Sequence, residues 1–559
     1  MTFLRFGGAF MTGSMAVSDF ETTYDNDVAR VWLADLCDMD TLEHITVCSI
    51  QAWLQAVLDF GYERLYFHNL KHDGAYILDY LLKHGHTWVD NKKELADNTV
   101  TGLISDVGAW YYIIMQMCGR KIEIYDSLKK IPLSVANMAK AYGLDVQKGE
   151  IDYKLIRGPD YAPTTHEIGY VQRDTEIVAK CLRMKFENGL RKMTVASDAL
   201  AEYRKTVPFE TYFVTKYWTT HPTIDAFCRR AYFGGISWVN PLIEGVEVNN
   251  IHVYDYNSMY PSVMLRHPFP VYYPARFQTT PHDGYPLYIA RCKVDVELLP
   301  GCLPTLRDSR TGNWLTEFNG ELTLTSVDIE TAADNYSGSV DVIEGYCFRQ
   351  ETGIFDHYID AWKKVKENST GGQRQIAKDM QNSLYGKFGT NPLRARRSVS
   401  IVDGKLKTTV LPYEEGRCLN VAIAAFVTAY ARRELSEGFH NSSFVCYVDT
   451  DSLHIGEYAG VKPTFGGKID ARAYGHWKKE GEFVRGKYLR QKTYIEERED
   501  GSLNVCACGC PEGAKQYITF DNFKMGAKYP GKLSQKIVPG GCILSESTFT
   551  VHAPMRFKF

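Results

Sequence analysis

Between Phe444 and Ile455 the chain reads Phe-Val-Cys-Tyr-Val-Asp-Thr-Asp-Ser-Leu-His-Ile. Two apolar runs flank a tight turn, and the turn carries two carboxylates. Side chains two apart on an extended segment share a face, so Asp449 and Asp451 can point the same way. Carboxylates that close repel one another unless a cation lies between them. One reading is a Mg²⁺ site presented on a rigid hairpin. The other is an Asx-type surface turn, because Asp is a common turn residue. Companion segments elsewhere decide between the two.

A chain of 559 residues, 45% of them hydrophobic, is too long for one core and implies several domains. No apolar run approaches the ~20 residues that cross a bilayer, so a membrane role is not expected. Residues 1–14 read as an irregular N-terminal extension, too weak for a signal peptide, with Met11 or Met15 as a later start. The 14 cysteines show no disulfide-scaffold spacing and read as reduced thiols in a cytosol. Cys506, Cys508 and Cys510 alternate along a strand-like run, but no second Cys/His pair stands at zinc-finger spacing. The net charge of −3 does not advertise nucleic-acid binding. Local charge does: residues 361–407 are rich in Lys and Arg, and Lys478, Lys479, Arg485, Lys487, Arg490 and Lys492 form a second run. Basic stripes with interleaved aromatics suit a phosphate backbone, although a single run also fits a solvated face.

Further acidic segments lie upstream. In a strand, Asp19 and Glu21 face one side and Phe20 the other. A buried acidic pair is costly unless it binds metal. A similar triplet, Asp328-Ile329-Glu330, reads as a decoy without partners. The first triplet has partners: Asp73 follows a strand-like run, and Tyr170 and Asp174 stand four apart, on one face if helical. Four carboxylates and a tyrosine can hold two Mg²⁺ ions, one activating water and one stabilising a leaving 3′ oxygen, with Tyr170 orienting the water. The mixed, polar stretch 190–230 predicts a domain boundary. Beyond it, Tyr232-Phe233-Gly234-Gly235 offers paired glycines that let backbone approach a phosphate. Asp255 ends an apolar strand. Gly371-Gly372 separates two predicted helices, and Arg374, Lys378, Asn382 and Tyr385 line one face of the second. Asp403-Gly404 predicts a hairpin. Gly481–Lys487 imitates a phosphate loop, but Tyr488 stands where a Ser or Thr hydroxyl is needed.

The Asp19, Asp73 and Tyr170–Asp174 segments match, in order, the Exo I, Exo II and Exo III motifs of DEDD 3′–5′ exonucleases. Asp255-Tyr256-Asn257-Ser258-Met259-Tyr260-Pro261-Ser262 matches motif A of family B DNA polymerases, Lys378–Gly386 motif B, the opening hairpin motif C, and Lys492-Thr493-Tyr494 the KxY motif. Over nearly its whole length the chain resembles the protein-primed family B DNA polymerases. The resemblance implies an α/β, multidomain (α+β) protein: an RNase H-like 3′–5′ exonuclease domain joined to a right-hand polymerase of palm, fingers and thumb with two terminal-protein-region insertions. The expected divisions are an extension (1–14), exonuclease (15–194), palm (195–266), first insertion (267–353), fingers (354–389), second insertion (390–417), palm (418–525) and thumb (526–559).

The same likeness implies site residues. Asp255, Asp449 and Asp451, with the Tyr256 carbonyl, would hold two Mg²⁺ for nucleotidyl transfer, Mn²⁺ substituting. The side-chain identity of Tyr256 is expected to matter little. Tyr260 would exclude ribonucleotides. Lys366, Arg374 and Lys378 would meet the triphosphate, and Asn382 and Tyr385 would shape the base-pair pocket. Asp19, Glu21, Asp73 and Asp174 would be the exonuclease carboxylates, with Asp19, Glu21 and Asp174 on metal and Lys148 assisting. Thr22, His68, Asn69, Ser127, Leu128 and Tyr153 would hold a single-stranded 3′ end, as would His72, where relatives carry Phe. Tyr232, Gly234 and Gly235 would contact template, and Lys492 and Tyr494 would steady the primer. Expected partners are template-primer DNA, dNTPs and a terminal protein primer. A monomer in the host cytoplasm, replicating a viral or linear-plasmid genome with strand displacement, is the implied setting. The rivals are a nuclease with a degenerate polymerase half and a non-catalytic DNA-binding scaffold.

Overall fold

The structure, a computed structural model, describes residues 14–152, 155–208, 210–217, 221–416 and 419–552. An eight-stranded sheet occupies the first quarter. Its central strand, Ser14–Asp25, pairs antiparallel with Val28–Asp38 and parallel with Tyr62–Phe67. The latter runs parallel to Arg120–Asp126. Ala16, Val17 and Phe20 are buried, so the central strand is covered on both faces, as parallel pairing requires. The helix Thr165–Glu187 packs on this strand and its neighbour and opens with a capping box from Thr164 and Glu167.

A second sheet of seven strands is centred on Glu247–Tyr256, flanked by Ser452–Glu457 and Trp477–Arg490. Trp477–Arg490 contains the whole Gly481–Lys487 run, so that segment is strand and not a phosphate loop. Between motifs A and B, four strands from Phe269 to Glu351 and the helix Ser326–Asn335 enclose their own apolar cluster around Val294, Leu322 and Leu324. Two helices follow, Asp356–Asn368 and Gly371–Phe388. Gly372 is pressed against Tyr142 and Met184, where a Cβ would meet the Met184 sulfur at 2.7 Å. The expected Asp403-Gly404 hairpin is formed by Arg397–Val402 and Lys405–Val410, with both turn residues at positive φ. Its Val399 and Leu406 join the apolar cluster of the first sheet.

Three segments are packed more closely than their composition conveys. The polar stretch 190–230 carries the helices Val195–Arg204 and Pro222–Arg229, and Ala199, Tyr203 and Ile224 sit in the largest apolar cluster. At the C-terminus the hairpin Lys528–Val538/Gly541–Thr550 shares one core with residues before 526, because Ile518, Phe520 and Phe523 pack with Tyr529 and Phe549. The second basic run is not an open stripe. Lys478 pairs with Asp255, Lys479 with Glu482, Arg485 with Glu497, and Lys492 with Asp449.

Candidate active sites

The register of the second sheet builds the first site. Asp255 lies opposite Ser452 on one side of its strand and opposite Lys478 on the other. The Tyr256 amide donates to the Asp451 carbonyl at 2.7 Å. Residues almost two hundred positions apart therefore meet at the Asp449–Ser452 bend. Thr450, at φ 62°, makes that bend, and its N–H donates to the Ile236 carbonyl at 2.6 Å. A Cβ on Gly235 would lie 2.8 Å from Thr450 Cγ2, so the glycine lets the Tyr232–Gly235 segment press against the turn.

Burial, then the charges of Asp255 and Asp449, pushes the Asp451 carboxyl up to about 7. Burial also raises Asp255, opposed by Lys478. Lys478 Nζ is 3.0 Å from Asp255 Oδ2, and Lys492 Nζ is 2.6 Å from Asp449 Oδ1. The Tyr447 hydroxyl donates to Asp449 Oδ2 at 3.2 Å and accepts from the Lys492 N–H at 2.8 Å. Sequence reasoning missed Tyr447, although it stands two before Asp449 on one strand and so shares its face. It also missed Glu480, whose charge raises both Asp255 and Asp451.

Around this centre, Tyr260 stacks on Tyr385 with ring centroids 4.4 Å apart. Lys366 donates to the Ser258 hydroxyl at 2.8 Å and to the Tyr474 hydroxyl at 3.3 Å. Burial, then the charges of Arg374 and Lys378, pushes the Lys366 ammonium down to about 8. Arg374 donates to the Lys366 carbonyl at 2.7 Å, while Asn382 is exposed. The Tyr256 side chain is not interchangeable. It is buried, its hydroxyl donates to Glu434 Oε2 at 2.5 Å, and Arg266 donates to it at 2.7 Å. Tyr494 packs 4.9 Å from Tyr447, and Tyr232 backs onto Gly389. Arg432 donates to the Phe233 and Gly234 carbonyls, each at 3.1 Å, and pairs with Asp328 at 2.7 Å. Asp328 thus has a partner after all, and its role is to anchor the segment before Gly235.

The second site lies on the first sheet. Asp19 and Glu21 project from the central strand, Asp73 opens the helix Asp73–Lys83, and Tyr170 and Asp174 come from the helix Thr165–Glu187. With Lys148 they line a cleft of about 250 Å³, to which Thr22, His68, Asn69 and His72 also contribute. Lys148 pairs with Asp174, and Tyr170 hydrogen-bonds it. Burial, then the charge of Asp174, pushes Asp19 up to about 7. Burial likewise raises Glu21, Asp73 and Asp174.

The residues expected to hold a single strand divide between the cleft and its wall. Ser127 is wholly buried, donating to the Phe67 carbonyl at 3.1 Å and meeting His68 Nδ1 at 2.9 Å. His68 Nε2 bonds the Leu133 carbonyl at 2.8 Å, so this pair braces the wall and Ser127 does not face the cleft. The Leu128 amide donates to Asp126 at 3.0 Å. Tyr153 lies outside the described residues. Burial pushes His72 down to about 4, and its Nε2 lies 3.4 Å from Thr22 Oγ1. Gln535 and Leu544 of the C-terminal hairpin complete the cleft, a contribution no motif announced. Tyr76 donates to the Cys542 carbonyl, and the Ala29 amide to the Pro539 carbonyl at 2.9 Å, so the hairpin is docked there.

The donors fit hard divalent cations. Asp73 Oδ1 and Asp174 Oδ1 are buried with no hydrogen-bond partner, and carboxylate oxygens are what such ions take. Among the described residues no three acidic, Cys or His side chains yet converge into a closed cage. At the first site ammonium groups hold Asp255 and Asp449.

Comparison with known proteins agrees with this geometry. The sequence matches the family described as DNA polymerase type B, organellar and viral, over residues 61–166 and 157–433. It is 35% identical to the DNA polymerase of Bacillus phage Nf, over 97% of this chain and 100% of that one. It is 33% identical to that of Bacillus phage phi29, over 97% and 99%. Phi29 DNA polymerase complexed with primer-template DNA superposes with a TM-score of 0.88 at 31% identity, over 96% of this chain and 100% of that chain. The same polymerase complexed with single-stranded DNA gives 0.87 at 32%, again over 96% and 100%. The chain belongs to the type B DNA polymerases, organellar and viral, and is a phi29-type phage DNA polymerase.

Proposed function

We propose that this DNA polymerase copies a phage or linear-plasmid genome from a terminal protein primer, with proofreading at the Asp19 site and its own strand displacement. The observation that carries the reading is the meeting of Asp255 with the Asp449–Ser452 bend, beside the basic face of the helix Gly371–Phe388. Asp255, Asp449, Asp451 and the Tyr256 carbonyl would hold two Mg²⁺, with Mn²⁺ able to replace them. When bound, the ions lower the barrier by stabilising charge on the attacking and leaving oxygens. Lys378, Arg374 and Lys366 take the triphosphate and neutralise it as pyrophosphate leaves. Tyr260, fixed against Tyr385, walls the sugar position, and Asn382 and Tyr385 border the base pair. Lys492 and Tyr494 hold the primer, and Tyr232, Gly234 and Gly235 the template.

At the second site, Asp19, Glu21 and Asp174 would hold metal, with Asp73 and Lys148 assisting. Tyr170 orients a water toward the terminal phosphodiester. Thr22, Asn69, His72 and Leu128 flank the frayed strand. The phi29 polymerase structures with primer-template DNA, with incoming nucleotide substrates and with single-stranded DNA support these as substrates here. No described helix is long and apolar enough to cross a membrane, and work in the host cytoplasm as a monomer fits the reading. The two-part division at residue 194, the thumb from 526 and the two insertions belong to the same proposal. The test is extension of a labelled primer with and without dNTPs. Extension with dNTPs and degradation without them is expected. Degradation in both conditions would favour a nuclease, and an unchanged primer a scaffold.

A further inference from the structure

Lys478 belongs to no motif, yet it occupies the polymerase centre. Strand pairing fixes its backbone opposite Asp255. Its ammonium lies 3.0 Å from Asp255 Oδ2 and 3.3 Å from Glu480 Oε1. The pair is partly withdrawn from water, with the lysine side chain 33% exposed and the aspartate 20%. The carboxylate is thus already engaged by a cation on one of its two oxygens. A second alternative partner, Glu480, stands within reach of the same flexible stem.

We propose that Lys478 is a resident counter-cation: a positioning residue that holds Asp255 in the metal-free enzyme and opposes divalent-ion binding until a nucleotide arrives. This rests on the reading of Asp255 as a metal ligand. An incoming ion must displace the ammonium, or share one carboxylate with it at the cost of like-charge repulsion. A triphosphate adds negative charge to the same space. The balance then favours the ion, and the lysine turns to Glu480. The centre would in this way load metal together with its substrate.

The test is Mn²⁺ binding to the full chain, followed by electron paramagnetic resonance without DNA or nucleotide. A background of Asp19→Ala and Asp174→Ala removes the exonuclease carboxylates. Lys478→Met keeps the stem and removes the charge. It is expected to bind Mn²⁺ roughly fivefold more tightly, the factor given by about 1 kcal/mol of lost pairing. Lys478→Arg is expected to stay within about twofold of the parent, since it keeps the charge. Lys478→Gln serves as the second uncharged variant should the Met variant melt early. Unchanged or weaker binding in the uncharged variants would overturn the proposal. Asp255→Ala separates the two levels of the argument. Its loss of the Mn²⁺ signal keeps the site reading in place whatever Lys478 does. Retention of that signal would mean Asp255 is no ligand, and the proposal would fall with the reading.

Discussion

Tyr256 shows how a residue whose backbone serves the site can also be held by its side chain. Its buried hydroxyl joins Glu434 to Arg266. Tyr256→Phe takes one donor from the half-buried, charged Glu434, which keeps Arg266 and His267, and a lost hydrogen bond to a charged group costs about 1.5–3 kcal/mol. The expected result is a lower melting temperature with the dNTP KM nearly unchanged. A rise in KM without loss of stability would place the hydroxyl at the nucleotide instead. Asp19 carries a pH signature. Its carboxyl is raised from 3.8 to about 7 in the folded chain. A raised group contributes stability that is present below the unfolded value and lost as pH climbs through the folded one. The metal-free protein should therefore lose stability between about pH 4 and pH 7 through Asp19. Asp19→Asn removes that loss. It is expected to melt about 3 °C above the parent at pH 8, with no advantage at pH 4, in scans made with chelator.

At the scale of elements, two helices tie the two halves together. Lys185, on the helix that carries Tyr170 and Asp174, is wholly buried and pairs at 3.1 Å with Asp379 on the helix that carries Lys378. Breaking a buried pair from one side costs about 3–5 kcal/mol, whereas replacing both partners by apolar groups is often neutral. Lys185→Met should therefore destabilise strongly, and Lys185→Met with Asp379→Leu should recover most of the loss in denaturant titrations. Equal loss in single and double variants would mean that the packing, not the pair, carries the energy.

Elements with strong local signals are legible in the sequence alone. The Asp403-Gly404 dipeptide needs positive φ at both positions and adopts it, and the 4, 4, 3 spacing of Arg374, Lys378, Asn382 and Tyr385 lies on a single helix. What could not be read is what depends on tertiary approach. Gln535 and Leu544 reach the cleft only because the C-terminal hairpin docks on Tyr76 and Ala29, more than four hundred residues away. The second basic run looked open because its acidic partners are strand neighbours or distant aspartates. Strand register, invisible to composition, sets Lys478 beside Asp255 and Arg485 beside Glu497.

For the whole molecule, the chain resolves into two acidic centres of one design, each a set of carboxylates partly or wholly withdrawn from water and restrained by lysine. At one, Lys148 holds Asp174; at the other, Lys478 and Lys492 hold Asp255 and Asp449. They stand on different sheets and share no side chain. The aspartates expected from spacing and motif order fall on defined elements: Asp73 opens a helix and Asp449 ends a strand, while Asp19 and Asp174 lie within theirs. Their convergence needed the strand order of the seven-stranded sheet, in which Asp255 sits between segments that follow it by two hundred residues. On this reading the two centres are separable active sites, with nucleotide addition lodged where Asp255 meets the Asp449–Ser452 bend. The most direct measurement follows a labelled primer-template with Mg²⁺ and dNTPs, alongside the labelled single strand alone, for Asp449→Ala and Asp19→Ala. Asp449→Ala should lose extension by at least about a thousandfold, or ~4 kcal/mol of transition-state stabilisation, while still degrading the single strand. Asp19→Ala should do the reverse. Extension that survives Asp449→Ala, or loss of both activities in a variant that melts like the parent, would contradict the account.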